Sequence, residues 1–350
     1  MRKGGTSSGF VLCRFFALVS FLGGVVFPFD GKFLLLWAME VVHEYFSRKQ
    51  ASIWRTRLQE LQARAQAPKK RVAVILDGSS RGGRALKELL VSFGYTVIYP
   101  SEKGEETEHT LGIRTGLDRE ESAEIFIKKI TQSQKNVDLL IVNLQRYKKH
   151  GNNPTEIKGV EKKIVPSKKK RGFISKRQPY RDVDRVLLEK DPNVRKNYLL
   201  GFLLIRGLAP ALKSGEGRVV INACRVFNLL GGEYAPSLFP SAFFSFSYSQ
   251  MCTVLLAFGA KARYHYLDVS VVSTSLLFSE AVNSFPRINR LVLSASDPGV
   301  YATCLVSAAL SERNKDVVSY YDTTLPRSFA ENLGGYDRAN DLWEQAEMIS

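Results

Sequence analysis

Apolar positions along this chain switch between two periods. Residues 71–76 (RVAVIL) form a short β-branched run. A polar, glycine-rich turn at 77–84 follows, then ALKELLVSFG with the apolar spacing of a helix, then a second β-branched run at 95–99. Further strands are predicted at 137–143, 218–222 and 269–273, and helices at 120–131, 184–213 and 250–264. Apolar strands alternating with helices predict an α/β fold built on a doubly wound parallel sheet.

The order strand, glycine turn, helix, strand at 71–99 is the phosphate-binding start of a Rossmann-like unit. Its glycines let backbone approach a pyrophosphate at the helix N-terminus. Gly78, Ser80, Arg81, Gly82 and Arg84 are therefore candidate cofactor-binding residues.

The N-terminal pattern differs. Residues 10–29 are apolar except for Arg14, and FLLLWAMEVV follows after Asp30, Gly31 and Lys32. A spanning helix needs about 20 apolar residues, so residues 1–46 are read as a membrane-associated helical anchor or a targeting segment. Residues 47–70 are polar, basic and helix-favouring, a linker to a body at 71–350. The expected site is the endoplasmic reticulum membrane with the body in the cytosol. Because Arg2, Lys3 and Arg14 are unopposed by acids, a mitochondrial address is the alternative.

Composition narrows the classes. The chain is 350 residues and 45% hydrophobic, enough for a large core. The four cysteines (Cys13, Cys224, Cys252, Cys304) show no paired spacing, which argues against a disulfide framework or a zinc site. The net charge of +16 is concentrated in a basic insertion at 146–181, with 13 Lys/Arg against two acids. That insertion suits anionic lipid headgroups or an acidic partner. Few aromatics accompany it, so nucleic acid is disfavoured. The tail from 300 onward is expected to pack on a sheet edge or make a homo-oligomer contact.

From here the chain resembles the short-chain dehydrogenase/reductase family over roughly residues 70–280. Asp77-Gly78-x-x-x-Gly82-x-Arg84 is similar to its Thr-Gly-x-x-x-Gly-x-Gly turn. Asp118 resembles the acid that meets the adenine, Asn143 the start of Asn-Asn-Ala-Gly, and Asn197 the asparagine of the catalytic tetrad. Cys224 stands at the serine position. Tyr248 resembles the catalytic tyrosine, and Cys252 stands four residues later where the family has lysine. Tyr-x-x-x-Lys places both side chains on one helix face, and the lysine charge lowers the tyrosine pKa. A thiol supplies no such charge. Lys261 lies 13 residues beyond Tyr248, roughly 20 Å along the helix, and cannot substitute for it. Arg84 replaces the third glycine, and Leu144-Gln145 replace Ala-Gly.

The resemblance implies two functions of different class. One is a catalytically impaired member acting as a membrane-tethered interaction or structural protein. The other is an NADP-dependent reductase of a lipid-like carbonyl, of ketosteroid or 3-ketoacyl type. NADP is favoured over NAD because no acid follows the second strand. An apolar stretch between Cys224 and Tyr248 would line its pocket, and no metal is expected.

Overall fold

The computed structural model describes residues 52, 53, 55, 56, 58, 59, 71–117, 119–145, 178–215, 217–230, 242–274, 297–322, 325–327 and 335–350. Nine strands form one sheet in the order β3-β4-β2-β1-β5-β6-β7-β8-β9. They are β1 Arg71–Ile75, β2 Tyr95–Ser101, β3 Glu105–Glu106, β4 Thr110–Arg114, β5 Leu139–Val142, β6 Arg218–Cys224, β7 Asp268–Thr274, β8 Ser319–Asp322 and β9 Leu325–Arg327. All neighbours pair in parallel except β3 with β4 and β8 with β9 at the two edges. The order reverses at β1, which lies between β2 and β5. In such sheets the crevice at the strand C-termini beside this reversal is the usual ligand site.

Helices cover both faces. α1 (Arg81–Ser92) and α6 (Pro298–Leu310) lie on one side, over a core that includes Ala73, Ile75, Val97, Ile141 and Val272. On the other side lie α2 (Glu120–Ser133), α4 (Leu200–Ser214) and α5 (Ala242–Arg263), over Val74, Leu140, Val142, Ile221 and Val271. Alternate residues of each strand supply the two cores, as the pleat requires.

Local chemistry sets the helix ends. The Ser80 hydroxyl accepts from the Gly83 N–H at 3.0 Å and caps α1. Asp297 caps α6, with Pro298 at the first helical position. The single helix expected at 184–213 is instead divided. α3 (Gln178–Lys190) stops before Pro192, since the residue preceding a proline is biased away from helix. A one-turn helix, Pro192–Val194, and a π-helical turn, Arg195–Leu199, then lead into α4.

The C-terminal part adds to both edge and bundle. β8 pairs with β7 and extends the sheet. α7 (Gly335–Ile349) lies over α4 and α5, where Trp343 is fully buried and packs edge-on against Phe202, ring centroids 4.7 Å apart. Gly259 permits this approach, because a Cβ there would stand 2.9 Å from the indole.

Residues 1–46 and most of the basic insertion 146–181 lie outside the described residues, as does Asp118. Among the described residues no helix is long and apolar enough to cross a membrane. Within the linker, residues 52–59 include helix.

Candidate functional site

The glycine turn after β1 is fastened to β5 by Asn143. Its Oδ1 accepts from the Leu76 and Asp77 N–H groups, both at 2.9 Å, and its Nδ2 donates to the Asp77 carbonyl at 2.9 Å. One buried carboxamide thus ties together the two strand ends at the reversal. The sequence marked Asn143 as a cofactor residue; in the structure its carboxamide bonds the backbone of the turn and also meets the Tyr301 hydroxyl.

Four of the turn's own amide donors are also taken. Asp77 Oδ1 accepts from the N–H groups of Ser79 and Ser80, at 3.2 and 3.0 Å. Gly83 N–H goes to the Ser80 hydroxyl, and Arg84 N–H to the Ser80 carbonyl. A helix N-terminus attracts anions, and here the anion beside it is the Asp77 carboxylate. A pyrophosphate would meet a negative charge where it needs donors.

Each glycine of the turn is accounted for by the chain's own packing. A Cβ on Gly78 would lie 2.5 Å from the Tyr99 ring, and one on Gly82 would lie 2.9 Å from the Tyr301 ring. A Cβ on Gly83 would lie 2.1 Å from the Asp77 carbonyl oxygen. Tyr99 is buried; its hydroxyl donates to Glu105 at 2.8 Å and accepts from Lys87 at 3.2 Å. Burial and the Glu105 carboxylate push its phenol up to about 12. Arg81 and Arg84, candidates for cofactor contact, are exposed on α1. The filling groups are two tyrosines that no glycine motif announces.

A polar chain crosses the ends of β5, β6 and β7. Gln145 Nε2 donates to Thr274 Oγ1 at 2.8 Å, Thr274 donates to Asn222 Oδ1 at 2.8 Å, and Asn222 Nδ2 donates to the Tyr301 hydroxyl at 3.0 Å. All four residues are buried. This chain links the ends of three strands to α6 along the edge where a dinucleotide would extend. Gln145, at the position where the resemblance implies a small residue, is part of it.

Of the proposed catalytic residues, Tyr248 and Cys252 adjoin one another, whereas Cys224 lies at the end of β6 and Asn197 bonds Ser249. Asn222 faces α6, and strand alternation puts Cys224 on that same face, away from α5. Cys224 is fully buried, and its backbone N–H donates to Gln250 Oε1 at 2.8 Å. Gln250, two residues after Tyr248, is thus the α5 side chain that reaches the end of β6.

Tyr248 points elsewhere. It is fully buried, and its hydroxyl meets the Asp184 carboxylate on α3. Arg338 on α7 completes the group, with Nη2 3.4 Å from the Tyr248 hydroxyl and 3.5 Å from Asp184 Oδ1. Tyr248 therefore has a nearby cation, from a helix that the motif spacing gave no reason to consult. Burial and Asp184 nevertheless outweigh it, and the phenol is held well above its usual range. That is the opposite of the shift a proton donor near neutral pH needs. Cys252 is buried beside this group; burial and Asp184 push its thiol up, away from thiolate.

Asn197 lies in the π-helical turn, fully buried, and donates to the Ser249 hydroxyl at 2.8 Å. Lys261 donates to the carbonyls of His265 and Leu267 at 2.8 and 2.9 Å and also to that of Lys315, so it fastens the α5–β7 loop. Among the described residues no group of His, Cys, Asp and Glu is placed to hold a metal ion.

No protein-family model and no curated protein sequence matches the chain. Solved structures do. An uncharacterized protein from Mycobacterium Paratuberculosis superposes with a TM-score of 0.50 at 17% identity, over 82% of this chain and 96% of that one. A short-chain dehydrogenase from Streptomyces avermitilis gives 0.45 at 16%, over 81% and 94%. The 3-alpha-hydroxysteroid dehydrogenase from Pseudomonas sp. B-0831, complexed with NADH, gives 0.46 at 17%, over 68% and 89%. Identities this low speak to fold alone. With its seven parallel strands, its reversal at β1 and its glycine turn into α1, the chain has a Rossmann-like doubly wound fold, the architecture that short-chain dehydrogenase/reductases share.

Proposed function

We propose that this chain has left nicotinamide redox chemistry and serves as a membrane-tethered interaction or structural protein. The observation that carries this reading is the engagement of Tyr248. Its hydroxyl is fully buried on Asp184 and Arg338, while the α5 side chain at the end of β6 is Gln250. Fit to the cofactor points the same way. Asp77 takes turn amides that a pyrophosphate would need, and Tyr99 and Tyr301 pack on the glycines that would let backbone approach it. We therefore derive no hydride or proton transfer through a nicotinamide.

The membrane tether rests on the hydropathy of residues 1–46, and the endoplasmic reticulum with a cytosolic body remains the proposed site. Anionic lipid headgroups, or an acidic partner surface, are the proposed contacts of the insertion 146–181. The test is calorimetric titration of NADPH and NADH into the full-length chain in detergent. Absence of binding up to millimolar cofactor is expected. Micromolar binding of NADPH, lost in Gly82→Trp, would instead overturn this reading and return the reductase of a lipid-like carbonyl to consideration.

A further inference from the structure

The linker before the body does not hang free of it. Leu58 is only 3% exposed and belongs to the core between α1 and α6. Arg55 pairs with Asp297 at 3.2 Å, and a Cβ on Gly299 would stand 2.3 Å from the Arg55 guanidinium. Around them is a groove of about 430 Å³, lined by Ala85 and Leu89 of α1, by Phe93 just after it, and by Gly299, Ala302 and Thr303 of α6. Ile53 is 66% exposed, so the helical residues present opposite sides to the body and to the surroundings. Residues 53 and 58 are about 140° apart at 100° per residue, which fits that division. In the sequence, Ala51, Trp54, Leu58, Leu61 and Ala65 recur at intervals of three and four, the spacing of one apolar helix stripe.

We propose that the linker around Arg55 and Leu58 is an intramolecular docking segment seated in the α1–α6 groove, which holds the body against its own N-terminal segment. Leu58 is the anchor. The Arg55–Asp297 pair is half-exposed and sets register more than strength. The seat lies on the first turn of α6, where Asp297 caps the helix and Tyr301 reaches both Gly82 and the Asn222 hydroxyl-bonding chain. Docking therefore steadies the turn that carries the Tyr301 ring over the glycine loop. An undocked linker would let the body wander; 24 flexible residues span about 27 Å on average, at roughly 5.5 Å times the square root of their number. The docked segment fixes which face of the body, α1 and α6, lies next to the residues that precede it. The docking stands on its own contacts and does not depend on whether the chain binds a nicotinamide.

The experiment is hydrogen–deuterium exchange on the full-length chain in detergent, comparing the parent with Leu58→Asp and Leu58→Ala. Docking predicts that Leu58→Asp raises exchange roughly tenfold or more at 85–93 and 297–303, because a buried carboxylate cannot remain in that core. The amides of β1, β5 and β6 should be unchanged. Equal exchange at 85–93 and 297–303 in parent and Leu58→Asp overturns the proposal. If the β-sheet amides of Leu58→Asp also exchange faster, the milder Leu58→Ala decides. A rise confined to 85–93 and 297–303 supports docking, and no rise there overturns it.

Discussion

Arg338→Met isolates the balance of charge around Tyr248. In the parent, Asp184 is 2% exposed and faces Arg338 and the Tyr248 hydroxyl; Cys252 and Asp341 are the other titratable groups that act on it. Burial is the largest influence on its pKa and raises it, and Arg338 pulls it back. Methionine keeps much of the arginine stem's packing and removes the cation. The carboxylate must then stay charged without its partner or take up a proton. Breaking a buried pair costs about 3–5 kcal/mol. Neutralisation sets a ceiling on that cost, because a carboxyl of ordinary pKa 3.8 is protonated at about 1.4 kcal/mol per pH unit above that value. The ceiling is about 5 kcal/mol at pH 7.5 and about 1.7 kcal/mol at pH 5. The sign follows: an acid whose folded pKa is raised makes the fold most stable below its unfolded pKa, and stability falls as pH rises toward the folded one. Urea unfolding should therefore show Arg338→Met losing about 3–5 kcal/mol at pH 7.5 but under about 2 kcal/mol at pH 5. Adding Asp184→Asn to the same chain should restore most of the loss at pH 7.5. Equal losses at the two pH values, or no restoration by Asp184→Asn, would refute the reasoning.

Three further outcomes can be checked by the same unfolding assay. Tyr248→Phe should cost about 1–3 kcal/mol, since it strips a hydrogen bond from a buried carboxylate and leaves no donor in its place. Asn143→Ala removes three bonds between the β1 turn and β5 and should cost about 3 kcal/mol; a loss below 1 kcal/mol would mean that the turn holds its shape without this tie. Gly83→Ala should be worse than either and should fail to yield folded protein, because the new Cβ would meet the Asp77 carbonyl, a backbone atom that cannot rotate aside.

The frame of this protein was legible in its sequence because periodicity and turn chemistry are local. The runs predicted at 71–76, 95–99, 218–222 and 269–273 each fall within about two residues of an observed strand. The glycine turn also lies where a strand–turn–helix junction requires it. β4 and β8 were harder to see. Thr110–Arg114 and Ser319–Asp322 are short edge-side strands with half-polar sequences, and their pairing with β2 and β7 is what makes them strands. The break at Asp191–Pro192 carries a visible signal, a cap residue followed by proline. The apolar stretch on either side hid it.

The site was less legible, for a different reason. Motif spacing locates Tyr248 and Cys252 on one face of α5, and it says nothing about which neighbour that face meets. Asp184 and Arg338 lie 64 and 90 residues away in sequence and come from helices on the outer side of α5. The tyrosines at 99 and 301 occupy the glycine turn through packing, which no local pattern records. Arg84 drew attention because it replaces a glycine, yet its side chain is exposed. Asp77 was the residue with a readable signal: a carboxylate just before a glycine turn is well placed to take that turn's own amides.

Whether Tyr248 can take part in proton transfer is decided by its own ionisation. Difference spectroscopy of tyrosinate absorbance, full-length parent minus Tyr248→Phe, isolates this phenol from the other tyrosines across a pH titration. A flat difference from pH 6 to pH 10 is expected, because burial and the Asp184 carboxylate keep the phenol protonated. A transition near pH 7 would contradict it, since it would reveal a tyrosine poised for proton transfer.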